Sequence, residues 1–119
     1  MKIQYISDIH LEFYEDNIFP KLIPLAPILC LAGDIGYPEK SNYQNFLEYC
    51  SNNYKHIFII SGNHEYYTKS TYDDINHNIE NIVKKYEYLF SGLVLNNEFS
   101  VNASIIFFKL SLSLLVFIL

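Results

Sequence analysis

Residues 28–34 read Ile-Leu-Cys-Leu-Ala-Gly-Asp, and residues 56–65 read His-Ile-Phe-Ile-Ile-Ser-Gly-Asn-His-Glu. Each is a short apolar run that stops at a glycine and releases polar side chains directly afterwards. Compact runs of this kind, closed by turn residues, predict buried strands at Ile28–Ala32 and His56–Ile60. Upstream, Ile3, Tyr5, Ile6 and Ile9 predict a first strand ending at Asp8 and His10. Pro20, Pro24 and Pro27 make the connection between the first two strands irregular.

The segments between and after these strands carry helical periodicity. Tyr43, Phe46, Leu47 and Cys50 recur at helical spacing, predicting a helix that Ser41 caps and that runs through Ser51. A second helix is expected over Thr71–Leu89, with Ile75, Ile79, Ile82, Val83 and Tyr86 as its apolar stripe. Asp73 and Asp74 at its start and Lys84 and Lys85 near its end complement the helix dipole. Gly92 would break that helix before a fourth strand at Leu93–Leu95. Alternating strands and helices predict an α/β domain with a largely parallel sheet, because parallel neighbours need crossover connections. In such sheets ligands bind beyond the carboxyl ends of the strands. Asp8-Ile9-His10, Gly33-Asp34 and Gly62-Asn63-His64-Glu65 all fall at that end.

Composition narrows the classes of function. Of 119 residues, 50% are hydrophobic and 18% charged, which supports a packed core and excludes a disordered chain. A net charge of −5 provides no electrostatic footprint for gripping nucleic acid. Cys30 and Cys50 lack Cys-x-x-Cys spacing and are expected as buried thiols in a reducing compartment. The apolar stretch before Asp8 is too short for a secretory signal, so a cytoplasmic location is expected. Residues 104–119 are almost wholly apolar, with Lys109 their single charge. Leu110–Leu119 is about half of the ~20 residues a membrane span needs, so this tail is expected to be a buried strand remnant or an aberrant C-terminus. Ile105–Phe108 is the candidate strand within it.

The blocks combine carboxylates, imidazoles and a side-chain amide. Asp8 and His10, two apart, would point the same way on an extended strand and could share one cation. The two oxygens of Asp34 could bridge that cation and a second one. Asn63 offers a neutral carbonyl oxygen to the second, and His64, projecting elsewhere, would meet substrate. Glu65 is expected to be a supporting or helix-start charge. Mixed oxygen and nitrogen donors suit manganese, iron or zinc better than calcium. Two such ions can stabilise the attacking and leaving oxygens of a phosphate-ester displacement. Singly, Gly-Asp and Gly-Asn are ordinary turn chemistry. The joint order of the blocks, each closing a strand, is what points to a site.

Ser7-Asp8-Ile9-His10, Ala32-Gly33-Asp34 and Ser61-Gly62-Asn63-His64-Glu65 resemble the first three signature blocks of the calcineurin-like metallophosphoesterases. The key positions are spaced 26 and then 29 residues apart, Asp8 to Asp34 to Asn63. The resemblance covers roughly residues 1–100. It implies that Asp8 and His10 bind a first metal, Asp34 bridges, Asn63 binds a second, and His64 is the catalytic imidazole. It also implies a four-layer α/β/β/α sandwich, of which residues 1–103 would form the N-terminal part, mostly the first sheet with its flanking helices. The family pattern continues with a further histidine and a Gly-His-x-His block, and no histidine follows His77 in this sequence. His56 is expected at the opposite end of the sheet and His77 exposed on a helix. The expected activity is hydrolysis of phosphate esters, with the metal shells incomplete. The alternative is a non-catalytic remnant or binding module that self-associates through an uncovered sheet face and its apolar tail. Neither glycine fingerprint of a P-loop or dinucleotide-binding protein occurs.

Overall fold

A computed structural model describes residues 2–86 and 89–91. Three strands, β1 (Ile3–Ile6), β2 (Ile28–Ala32) and β3 (His56–Ile60), and a short fourth, β4 (Leu89–Ser91), form one sheet in the order β1-β2-β3-β4. Every pairing is parallel, with Ile3 beside Ile28, Ile28 beside His56 and Ile57 beside Leu89. Helix α1 (Ser41–Asn53) links β2 to β3, and α2 (Tyr72–Val83) links β3 to β4. The expected α/β class is therefore present, with a parallel sheet and two helices.

Sequential strand order has a physical consequence. Crossovers of one hand between successive neighbours place both helices on the same face of the sheet. Leu29, Leu31, Ile57, Ile59 and Leu89 turn to that face and are buried against Phe46, Leu47 and Cys50 of α1 and Ile75, Ile79, Ile82 and Val83 of α2. The alternate strand positions are different. Among the described residues, Cys30, Phe58 and Ile60 are only half-buried, and Tyr5, which pairs with Cys30, is 71% exposed.

Four local expectations need correction. The first strand stops at Ile6, and Ile9 lies beyond it. Helix α1 extends to Asn53, and Ser41 is its first helical residue; Lys40 takes the cap position with no side-chain hydrogen bond. Thr71 caps α2 through a reciprocal pair: its hydroxyl accepts from the Asp74 N–H at 3.2 Å, and Asp74 accepts from the Thr71 N–H at 3.2 Å. This helix ends at Val83 rather than Leu89, and the following chain enters the sheet as β4 at Leu89–Ser91. Pairing beside β3 satisfies the backbone there, so sheet formation overrides the helical periodicity that had included Tyr86. The expected strands at Leu93–Leu95 and Ile105–Phe108, and the tail from Ser104, lie outside the described residues. Among the described residues, no helix is long and apolar enough to cross a membrane.

Candidate metal centre

The site begins where β1 and β2 end. Beyond Ile6 the chain leaves the regular strand yet keeps beside the segment after β2, through Asp8 N–H to Gly33 O (3.1 Å), His10 N–H to Asp34 O (3.1 Å) and Leu11 N–H to Ile35 O (2.8 Å). Asp8, His10 and Asp34 all adopt left-handed backbone, with φ of 56°, 53° and 54°. Such conformations cost about 1–3 kcal/mol each outside glycine and persist only where surroundings enforce them. The Asn42 side chain holds this loop by donating to Leu11 O at 2.6 Å. The expectation that strand alternation aligns Asp8 with His10 is thus wrong in mechanism. Neither residue is in a strand; the left-handed steps bring them together, with His10 Nε2 3.8 Å from Asp8 Oδ1.

The two glycines explain how β2 and β3 deliver their groups to one place. A Cβ on Gly33, whose φ is +90°, would lie 2.9 Å from Gly62 Cα and N. A Cβ on Gly62 would lie 2.7 Å from Asp34 N and would also meet the Asp34 carboxylate. Both glycines are therefore close-approach residues and not merely turn formers. The approach lets Asp34 Oδ1 accept from the His64 N–H at 2.8 Å.

Glu65 is fully buried and acts as the internal staple. Its Oε2 accepts from Gly62 N–H (2.8 Å) and Asp34 N–H (3.2 Å), while Oε1 accepts from Ile35 N–H (2.8 Å). Backbone donors of this kind satisfy a buried carboxylate. Its expected supporting role fits this placement.

Donor atoms of Asp8, His10 and Asp34 all lie within 4.8 Å of one another. Two carboxylates and an imidazole at that separation fit a divalent cation by charge and donor type. Asn63 sits just before a 3-10 turn, His64–Tyr66. It donates its side-chain N–H to the Tyr67 hydroxyl at 2.6 Å, so its carbonyl oxygen is the side-chain atom that could accept or ligate. The His64 ring lies 4.4 Å from the His10 ring, edge to face, and 4.8 Å from that of Tyr67. His56 opens β3 at the far end of the sheet, and His77 is exposed on α2 with its ring bonded to Asp73 O at 2.8 Å. Neither joins the site.

Sequence reasoning passed over Glu12. Its Oε1 lies 3.0 Å from His10 Nδ1 and 2.9 Å from His64 Nδ1, and its side chain is 3% exposed. The one available signal was a charge between apolar Leu11 and Phe13. The His10 imidazole titrates above its ordinary value, first because of the hydrogen bond to Glu12. Burial opposes that effect, and the charges of Glu12, Asp34 and Asp8 add to it.

With the fold and this cluster in view, comparison with known proteins places the chain. A family model for calcineurin-like phosphoesterases matches residues 1–113. The chain belongs to the calcineurin-like phosphoesterase family. An uncharacterised protein of Acanthamoeba polyphaga mimivirus is 32% identical over 111 residues, covering 81% of this chain and 38% of that protein. The chain thus spans well under half the length of this relative. No solved structure gives a significant match.

Proposed function

We propose that this domain takes part in metal-dependent hydrolysis of phosphate esters, with Asp8 and His10 holding one divalent ion, Asp34 bridging to a second, Asn63 serving the second, and His64 acting on the phosphoryl group. The observation that carries this reading is the convergence of Asp8, His10 and Asp34, whose donor atoms fall within 4.8 Å of one another. Divalent ions, when bound, supply an activated water and neutralise charge on the phosphoryl oxygens. Manganese, iron and zinc fit the mixed donor set.

The chain's own residues supply position and protons. Asp34 sets its carboxylate by accepting from the His64 backbone N–H, which ties the proposed bridging group to the segment that carries the imidazole. His64, 28% exposed, is open to a substrate oxygen and can donate a proton to a leaving alkoxide. Tyr67 orients Asn63 by accepting from its amide. Family likeness further supports a second sheet on the half-exposed face of the first. That would complete a four-layer α/β/β/α sandwich of which residues 1–103 are the N-terminal part.

The test is turnover of an aryl phosphate with added manganese, alongside manganese binding followed by electron paramagnetic resonance. Binding and turnover should both be lost in Asp34→Asn. Equal turnover without metal, or in Asp34→Asn, would overturn the reading.

The row of exposed Tyr5 and half-buried Cys30 and Phe58 favours a second reading, a module that associates through this face. It predicts sedimentation that depends on concentration, and no thermal shift with metal.

A further inference from the structure

Glu12 stands apart from the ligand set assigned above, yet it touches two of that site's residues at once. It lies in the 3-10 turn Leu11–Phe13 that begins immediately after His10, and its side chain is almost fully buried. One oxygen, Oε1, serves both rings: His10 Nδ1 at 3.0 Å and His64 Nδ1 at 2.9 Å. The other oxygen, Oε2, is buried without a hydrogen-bond partner among the described residues. A buried carboxylate is costly unless it is paired, and these two contacts offset the burial of Glu12.

We infer that Glu12 is a positioning residue that sets both imidazoles in the same tautomer, with the proton on Nδ1 and the lone pair on Nε2. The inference rests on the proposed roles of His10 and His64. An ionised carboxylate only accepts hydrogen bonds, so each Nδ1 facing it must carry hydrogen. In a neutral ring the other nitrogen is then the acceptor. For His10 that nitrogen, Nε2, is the atom facing Asp8, where a metal ligand needs its lone pair. For His64 the same tautomer leaves Nε2 as the atom that can exchange a proton with substrate oxygen. A carboxylate behind a ligating imidazole fixes ring orientation, and its loss costs about 10–100-fold in metal affinity or activity. Here one carboxylate does so for two rings that also touch edge to face at 4.4 Å. Metal binding and proton transfer would thereby depend on a single side chain outside the proposed ligand set.

The test is nitrogen-15 NMR of the histidine rings in the metal-free chain, in alkaline buffer where the rings are neutral. Both His10 and His64 should show the Nδ1–H form, and Glu12→Ala should return both to the Nε2–H form. Glu12→Gln, which keeps an acceptor oxygen of the same reach, should retain the Nδ1–H form in at least one ring. Manganese titration should show affinity about 10–100-fold weaker in Glu12→Ala and partly rescued in Glu12→Gln. An Nε2–H form of either ring in the unaltered chain would overturn the proposal without needing any variant to fold. So would unchanged tautomers in Glu12→Ala. The expected tautomers without metal-dependent hydrolysis would instead count against the phosphoesterase reading alone.

Discussion

Glu65 and Ile35, thirty residues apart in sequence, are joined by a buried hydrogen bond of 2.8 Å from the Ile35 N–H to Glu65 Oε1. Through its other oxygen the same carboxylate holds Gly62 and Asp34, so it ties the loops after β2 and β3 together. The third signature block therefore builds the platform on which the second stands.

Removal of that staple should be severe. Glu65→Ala leaves three backbone donors without their acceptor, each costing about 1–3 kcal/mol where water cannot replace it. Urea denaturation should show a loss of at least about 3 kcal/mol, and Glu65→Gln a smaller one. Equal stability of Glu65→Ala and the unaltered chain would show that the loops are held by something else.

Gly62→Ala tests the close approach of the loops. Its new methyl would press on the Asp34 backbone, so the loops must separate, at about 1–3 kcal/mol for overpacking. Because the shift falls on Asp34, manganese affinity should fall as well. Chemical denaturation and metal titration on the same sample read both effects.

Metal should stabilise the chain through the proposed ligands. Manganese at a hundredfold excess over its Kd should add about 2.7 kcal/mol, seen as a rise in Tm that a chelator reverses. Asp8→Asn should remove that rise, while His77→Asn, altering an exposed ring on α2, should keep it.

The start of α2 gives a pH dependence with a definite sign. The Asp74 carboxyl lies below its ordinary value of 3.8, chiefly because the Thr71 hydroxyl donates to it, with the Thr71 N–H adding to the effect. A depressed carboxyl stabilises the fold above its unfolded value, and the contribution disappears as pH falls through the folded one. The Tm gap between the unaltered chain and Asp74→Ala should be full at neutral pH and close below 3.8. Thr71→Ala, which removes the capping hydroxyl, should cost about 1 kcal/mol at neutral pH.

Thiol chemistry tests the core. Burial pushes the Cys50 thiol up to about 12 and raises that of Cys30. Native chain at neutral pH should label slowly at both positions, with Cys50 the slower. Unfolding in guanidinium should make both react rapidly. Fast labelling of Cys50 in the native state would contradict its place on the buried face of α1.

Much of the fold was legible because local chemistry and tertiary context agree. Ile28–Ala32 and His56–Ile60 are apolar runs ended by glycine, and no helical pattern competes with them there. The start of α2 was legible from Asp73 and Asp74 as first-turn charges, while the reciprocal cap of Thr71 and Asp74 came from the structure. Its far end was illegible: Tyr86 and Leu89 fit a helical stripe, but an open edge of β3 captures Leu89. Periodicity records which side chains are apolar; it does not record which backbone lies nearby to pair.

The candidate site divides in the same way. By itself the sequence determined that Asp8, His10, Asp34, Asn63 and His64 follow strand ends, and that parallel strands share one carboxyl edge. Only the tertiary structure decided how they meet. Left-handed backbone at Asp8 and His10, the mutual approach of Gly33 and Gly62, and the reach of Glu12 across 52 residues to His64 depend on contacts between segments distant in the chain. The strand ends follow from local preference, which acts over a few residues, whereas the facing of one loop toward another is fixed only when the sheet brings them side by side.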